Sequence, residues 1–200
     1  MDNATIAQAV DMMNPKEQVA VVQNATVKAA QEIGDNEFLE MIKPQLRVHE
    51  GQKLNEKGQH VLYKDSLGKM TGGIGHLITE KDKKYFGKPE GTVVDLEDVI
   101  KWEQDDTKTA LKDAKDFLGK DWDKSSLAVK EVATNMAFNL GKTKLSKFTG
   151  LQKAMKDGDM KKAAEEILFN TDTGEISKYA SQVGKRATDL AAILNPQSRE

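Results

Sequence analysis

The sequence predicts an α+β fold, mainly helical, with a small β-hairpin lobe near the front and a bundle of helices behind it. Three observations predict it. Apolar residues recur at helical spacing after residue 95, most regularly at Val129, Val132, Ala133, Met136, Ala137 and Leu140. Two strand-like runs, 60–64 and 69–78, flank the turn Ser66-Leu67-Gly68-Lys69. The chain has 200 residues, 38 % apolar and 31 % charged, which suits one soluble domain with or without a short appendage.

In chain order, Asn14-Pro15 signals a helix start, and Val19, Val22, Val27, Ala30 and Ile33 follow at near-helical spacing up to Gly34. This predicts an N-terminal helical appendage over 1–35, ahead of a main domain at 36–195 and a tail at 196–200. Asp35 or Asn36 is expected to cap the next helix, with Phe38, Ile42 and Leu46 on its inner face. Pro44 marks a kink or a restart in it. Glu50-Gly51 should end it, with Gly51 in the left-handed conformation.

Residues 52–60 read as a loop, the two strand-like runs as a hairpin, and Thr92-Val93-Val94 as a short third strand. Asp95 should cap a long helix to about Leu118. Its stretch from Glu103 to Lys108 is polar on most sides, which suits a helix bridging two lobes across a solvent-filled cleft. Ser125 or Ser126 should start the best core helix, ended by Gly141. Shorter helices follow around 151–155 and after Gly158-Asp159. A polar connection at 170–183 then leads to a last helix carrying Ala187, Leu190, Ala191 and Leu194.

Composition excludes several chemistries. With no cysteine there is no disulfide scaffold, thiol nucleophile or thiolate metal site. Three scattered histidines without a His-x-x-x-His pair argue against catalytic zinc; no metal and no cofactor is expected. The net charge of −2 is uneven: residues 1–40 hold two basic and seven acidic residues, and 141–200 hold eleven basic and eight acidic. That C-terminal excess is too small to argue nucleic-acid binding. Neither a membrane-spanning apolar run nor a signal peptide is read in the sequence.

Reactive groups concentrate between His49 and His76: HEGQKLNEKGQHVLYKDSLGKMTGGIGH. Two carboxylates on separate rigid elements suit glycoside hydrolysis, where one protonates the leaving oxygen and the other activates water or attacks the sugar. Glu50, at the end of an apolar-faced helix, is the better acid, because partial burial favours the protonated form. Asp65, beside a turn, should be better solvated and ionised. Thr71, across the hairpin, offers a hydroxyl to hold a water. Taken singly, a Glu before Gly is more often a solvated helix end, and an Asp before Ser a turn-former. Gly72-Gly73-Ile74-Gly75 lacks the Gly-Lys-Ser/Thr ending of a phosphate loop.

The pattern HEG…YKDSLGKMTGGIGHL resembles the active-site signature of phage-type lysozymes, the muramidase endolysins of glycoside hydrolase family 24. Asn135-Met136-Ala137-Phe138-Asn139-Leu140-Gly141, Phe148-Thr149 and Gln182-Val183-Gly184-Lys185-Arg186-Ala187 resemble later segments of that family, so the likeness spans roughly residues 38–194. It implies a two-lobed lysozyme fold that cleaves the β-1,4 bond between N-acetylmuramic acid and N-acetylglucosamine. Glu50 would be the general acid, with Asp65 and Thr71 orienting water for inversion. Leu77 and Phe138, and more weakly Asn139, match positions near bound sugar. His76 would be a structural brace paired with Asp105, and Arg186 a partner for the Glu50 helix end; touching Glu50 itself, it would oppose the effect of burial. Trp102 and Trp122 read as packing residues.

Departures from the family pattern are an insertion within Asn55–His60, a shorter span from His76 to Thr92, His49 in place of an acid, Gly72 in place of a β-branched residue, and the N-terminal 35 residues. The implied partner is the peptidoglycan glycan strand. Residues 1–35 either pack on the main domain or dock on virion proteins, the latter if the enzyme is carried in the particle; otherwise it would wait in the host cytoplasm until released to the wall. The rivals are a lytic transglycosylase, which needs only the acid, and a non-catalytic module of the same fold.

Overall fold

The computed structural model describes residues 33–65 and 67–196. The helix expected at 14–34, with nearly all of the appendage, and residues 197–200 of the expected tail lie outside the described residues.

Helix α1 spans Asp35–His49 and buries Phe38, Leu39, Ile42 and Leu46 along one stripe. Its N-cap is Gly34, and no side chain caps it. Asp35, expected as a cap, sits in the first turn, where its charge suits the helix dipole, and both its oxygens accept from Lys115 at 2.6 and 2.7 Å. The helix runs through Pro44 without restarting. It ends because Glu50 itself turns extended (φ −90°, ψ 137°), so Gly51 is not left-handed as expected.

Strands β1 (Tyr63–Lys64), β2 (Met70–Gly72) and β3 (His76–Leu77) form an antiparallel sheet in the order β1-β2-β3. Thr71 pairs with Tyr63 on one side and Leu77 on the other. The single strand expected over 69–78 is broken by a turn at Gly73-Ile74-Gly75. Gly73 (φ +60°) and Gly75 (φ +77°) take the left-handed backbone that a side chain disfavours. Thr92-Val93-Val94 supplies only one bridge, Val61 to Val93, not a strand.

Leu62, Ile78, Tyr85, Val94, Val99 and Trp102 make a small core under this sheet. Helix α2, Leu96–Leu118, supplies its last two members. The same helix sends Ala110, Leu111, Ala114, Phe117 and Leu118 into a second, much larger core. One rod therefore serves both lobes, in line with the bridging role expected of it. Its middle is less solvated than the sequence suggests. Glu103 is 7 % exposed and takes a two-pronged bond from Arg47 of α1 at 2.5 and 2.6 Å, and Thr107 is buried behind it. Asp95 is the N-cap residue, but its carboxylate turns to Lys84 rather than to the helix amides.

The large core is built around α3, Leu127–Leu145, which is buried on nearly every side from Val129 to Ala137. Ser126 caps it, and at Gly141 (φ +69°, ψ 164°) the backbone leaves the helix where the end was expected, before a last turn resumes. Around it lie α4 (Thr149–Asp157), α5 (Met160–Leu168, capped by Asp159), α6 (Lys178–Val183) and α7 (Lys185–Leu194). Helix α6 falls in the stretch read as a connection. At six residues it is too short to show a helical period, but Ser177 caps it and Tyr179 anchors it in the core. Trp102 and Trp122 are both packing residues, as expected.

Candidate active site

Glu50 stands where α1 stops. Its amide still closes the helix onto Leu46 at 2.9 Å, so the residue is held by α1 while its side chain points away from the helical path. The side chain is 15 % exposed, and Oε1 accepts from Nη1 of Arg186 in a short charged hydrogen bond. Oε2 lies against the turn of the sheet: a Cβ built on Gly75 would come within 2.7 Å of it. Helical lobe and hairpin thus meet at this carboxylate.

Arg186, at the start of α7, is 5 % exposed. Nε donates to Asn135 Oδ1 at 2.8 Å and Nη2 to the Asn135 carbonyl at 3.0 Å. Next to Glu50, His49 reaches Asp189 of α7 at 3.2 Å, so two consecutive residues fasten the end of α1 to that helix. Lys185 above all, with help from His49, holds the Asp189 carboxyl below its ordinary pKa; burial works the other way.

Asp65 opens the hairpin turn. Oδ1 accepts the amides of Leu67 and Lys69 at 2.9 and 2.8 Å, as a turn-forming Asp does. Tyr63, in β1 just before it, donates its hydroxyl to the Gly51 carbonyl at 2.6 Å and ties the hairpin to the chain just after Glu50. Burial pushes its phenol pKa up. The negative charge of Glu50 adds to that, the Gly75 amide opposes it, and Asp65 adds a smaller push upward. Tyr63 therefore sits within the field of both carboxylates. Thr71 is 4 % exposed and donates to the Lys69 carbonyl at 3.1 Å, so its hydroxyl proton is spent inside the hairpin rather than on a water.

His76 is clamped. It stacks on Trp102 with centroids 4.4 Å apart, and its Nδ1 and Nε2 meet Asp106 at 2.7 Å and Asp82 at 3.3 Å. Its expected partner, Asp105, is exposed on another side of α2. Successive helical residues are turned by about 100°, and Asp106 follows Trp102 by four, so those two share the face under His76. Burial disfavours the imidazolium, but the two carboxylates outweigh it and raise the His76 pKa. Burial likewise works to raise Asp82, while the Thr79 amide and hydroxyl, with His76, bring it below the ordinary value.

Of the expected sugar contacts, Leu77 is exposed on β3, Phe138 is half-buried against the large core, and Asn139 is exposed. The 55–60 insertion closes on itself: Asn55 Oδ1 accepts the amides of Lys57 and Gln59, both at 3.0 Å. It borders a cavity of about 500 Å³ with His60, Val94 and Leu96, which Glu50, Asp65 and Thr71 do not line.

Sequence reasoning missed Asn135, Asp106, Asp82 and Tyr179 as parts of the site. Asn135 opens the Asn135–Gly141 motif, so that signal was present; nothing singled out Tyr179. It is 4 % exposed, and its hydroxyl has no hydrogen-bond partner among the described residues. Burial pushes its pKa up to about 12, with Arg186 opposing and Glu50 assisting. Among the described residues no cluster of three or more His, Asp or Glu is arranged to hold a metal ion, and no helix is long and apolar enough to cross a membrane.

No protein-family model matches the chain, and no curated protein matches it.

Proposed function

We propose that this chain is a muramidase of the phage-lysozyme type, with a lysozyme-like fold, hydrolysing the β-1,4 bond between N-acetylmuramic acid and N-acetylglucosamine in peptidoglycan. The observation that carries the reading is Glu50. A carboxylate fixed at a helix end by Arg186 stands against the turn of the hairpin that bears Asp65 and Thr71. Glycosidic cleavage requires two acids on different rigid elements, and Glu50 and Asp65 are so carried, with Tyr63 in the field of both.

In this reading Glu50 donates a proton to the leaving glycosidic oxygen. Asp65 orients the water that attacks the opposite face of the sugar, with inversion at the anomeric carbon. Thr71, its hydroxyl bonded to the Lys69 carbonyl, holds the geometry of the Asp65 turn and keeps its oxygen as an acceptor. Leu77 and Phe138 face the glycan strand, joined by Asn139. His76 braces the hairpin against α2 and takes no part in proton transfer.

The test is lysis of purified peptidoglycan followed by turbidity, with mass analysis of the fragments. The parent protein is expected to clear the suspension and leave reducing muramic ends, and Glu50→Gln to lose at least 100-fold of that rate, about 3 kcal/mol of transition-state stabilisation. Anhydro-muramic ends would move the reaction to the transglycosylase class. Equal clearing by parent and Glu50→Gln would remove Glu50 from the role of acid.

A further inference from the structure

We propose that Asn135 is a positioning residue for Glu50, acting through Arg186; the assignment rests on the reading of Glu50 as the general acid. A guanidinium has two edges that accept a planar partner. Nε and Nη2 form one of them, and both of its donors go to Asn135: Nε to the side-chain Oδ1 at 2.8 Å, Nη2 to the main-chain carbonyl at 3.0 Å. Two acceptors from a single residue fix both the plane and the rotation of the group. Nη1 is then aimed at Glu50 Oε1. Because Asn135 is 1 % exposed in the stretch of α3 that is buried on nearly every side, the grip has a rigid base.

The residue type matters. An amide oxygen accepts from Nε without bringing a negative charge, so the guanidinium keeps its charge for Glu50. The amide is itself turned the right way round: Nδ2 donates to Gln45 Oε1 of α1 at 3.4 Å, which leaves Oδ1 toward Arg186. Three helices therefore converge on one carboxylate, α1 carrying it, α7 binding it and α3 holding the binder. A residue serving only to fill core volume would not need both of its carbonyls on the same side chain.

Asn135→Leu keeps the branched outline of the side chain and removes its acceptor. It is expected to lower kcat by about 10- to 100-fold, the scale of a small misplacement of a reacting group. KM should stay within about twofold, since no contact with substrate is lost. Asn135→Asp restores an acceptor for Nε but draws the guanidinium's charge away from Glu50, and is expected to recover only part of kcat. In an Arg186→Met background, Asn135→Leu should cost nothing further, because the path to Glu50 is already cut. Val132→Ala, which removes buried methyls from the same helix, should lower Tm and leave kcat unchanged.

Two NMR signals read the geometry without activity. The Arg186 Nε–H should exchange slowly in the parent and in Asn135→Asp, and fast in Asn135→Leu. The Glu50 carboxyl ¹³C resonance should shift in Asn135→Leu. Unchanged signals in Asn135→Leu, or a full additional loss of kcat in the Arg186→Met background, would overturn the proposal. If the parent cleaves no glycan, the muramidase reading fails by itself. The two NMR signals then decide for or against Asn135 alone.

Discussion

Gly75 is a glycine because a carboxylate occupies the space its side chain would fill. Its backbone is left-handed at φ +77°, and an added Cβ would meet Glu50 Oε2 at 2.7 Å. Both effects oppose any larger residue. Gly75→Ala is expected to destabilise the protein by about 1–3 kcal/mol through backbone strain, measured by urea unfolding. It should reduce lysis by more than that loss of folded protein accounts for, because the Glu50 side chain has to move. Gly58, equally left-handed but with nothing within 4 Å, provides the control, since Ala there meets strain without collision. At this scale the sequence was legible where a residue type is chemically forced. Arg186 was named from its motif as a partner for the Glu50 end of α1, and Asp65 as a turn-former, and both contacts are present. Asp106 was missed by one position, because two adjacent acids on a polar stretch differ only in which face of the helix they occupy. The position of Trp102 four residues earlier was the signal that separates them. Asn135 was quoted but not assigned, since a buried Asn reveals its partner only when the helix carrying it is packed.

Elements were legible in proportion to their length. Helices α1, α2 and α3 carry enough apolar periods to be read directly, and their ends fell near Gly and Ser signals. The sheet was harder: with strands of two and three residues, alternation is barely expressed, and two left-handed glycines made two strands of what reads as one. Helix α6 was lost for the same reason. Two predictions belong here. In α1, Ile42 and Leu46 are each 2 % exposed in the large core, so Leu46→Ala should cost about 2–5 kcal/mol by thermal or chemical unfolding. It should also loosen Glu50, four residues on. The clamp on β3 gives the second. The pKa of His76 is raised in the folded protein, so its ion pairs contribute fully below the ordinary histidine value of about 6.5 and are lost as pH rises through the raised value. The Tm of the parent should therefore fall from pH 6 to pH 8 more steeply than that of His76→Gln. Asp82, with its pKa lowered, contributes above about pH 4 and loses that contribution as pH falls through its folded value, a separate acid limb that Asp82→Asn should flatten.

At the scale of the whole molecule, two cores of unequal size share one helix. The small one has six buried members and the large one many more, so the hairpin lobe has less to hold it together. Hydrogen exchange should protect the amides of α3 and the second half of α2 most, and those of β1–β3 distinctly less, with Val99 and Trp102 intermediate. Equal protection in the two lobes would show that they open as a single unit. On the proposed function, glycan binding is expected to raise protection in the hairpin turn at 73–75 more than in the buried stretch 129–137 of α3, because the less stable lobe has more protection to gain. None of this partition was visible in composition. It depends on α1 preceding the hairpin in sequence and yet packing with helices that follow it, a closure that local pattern does not reveal.

That closure sets an order in time. Glu50 and its partner Arg186 stand 136 positions apart, and Asp65, Thr71, His76 and Asn135 are made between them. A ribosome that has released the chain only as far as Gly184 has already delivered Glu50, Asp65 and Thr71, but not the guanidinium that fixes the acid, nor the Asp189 that holds the neighbouring histidine. The helix that carries both emerges after Glu50, Asp65 and Thr71 have all left the ribosome. On the proposed function, a growing polypeptide carries its wall-cutting residues unassembled, and the cell producing it meets the finished cutter only after α7 has docked.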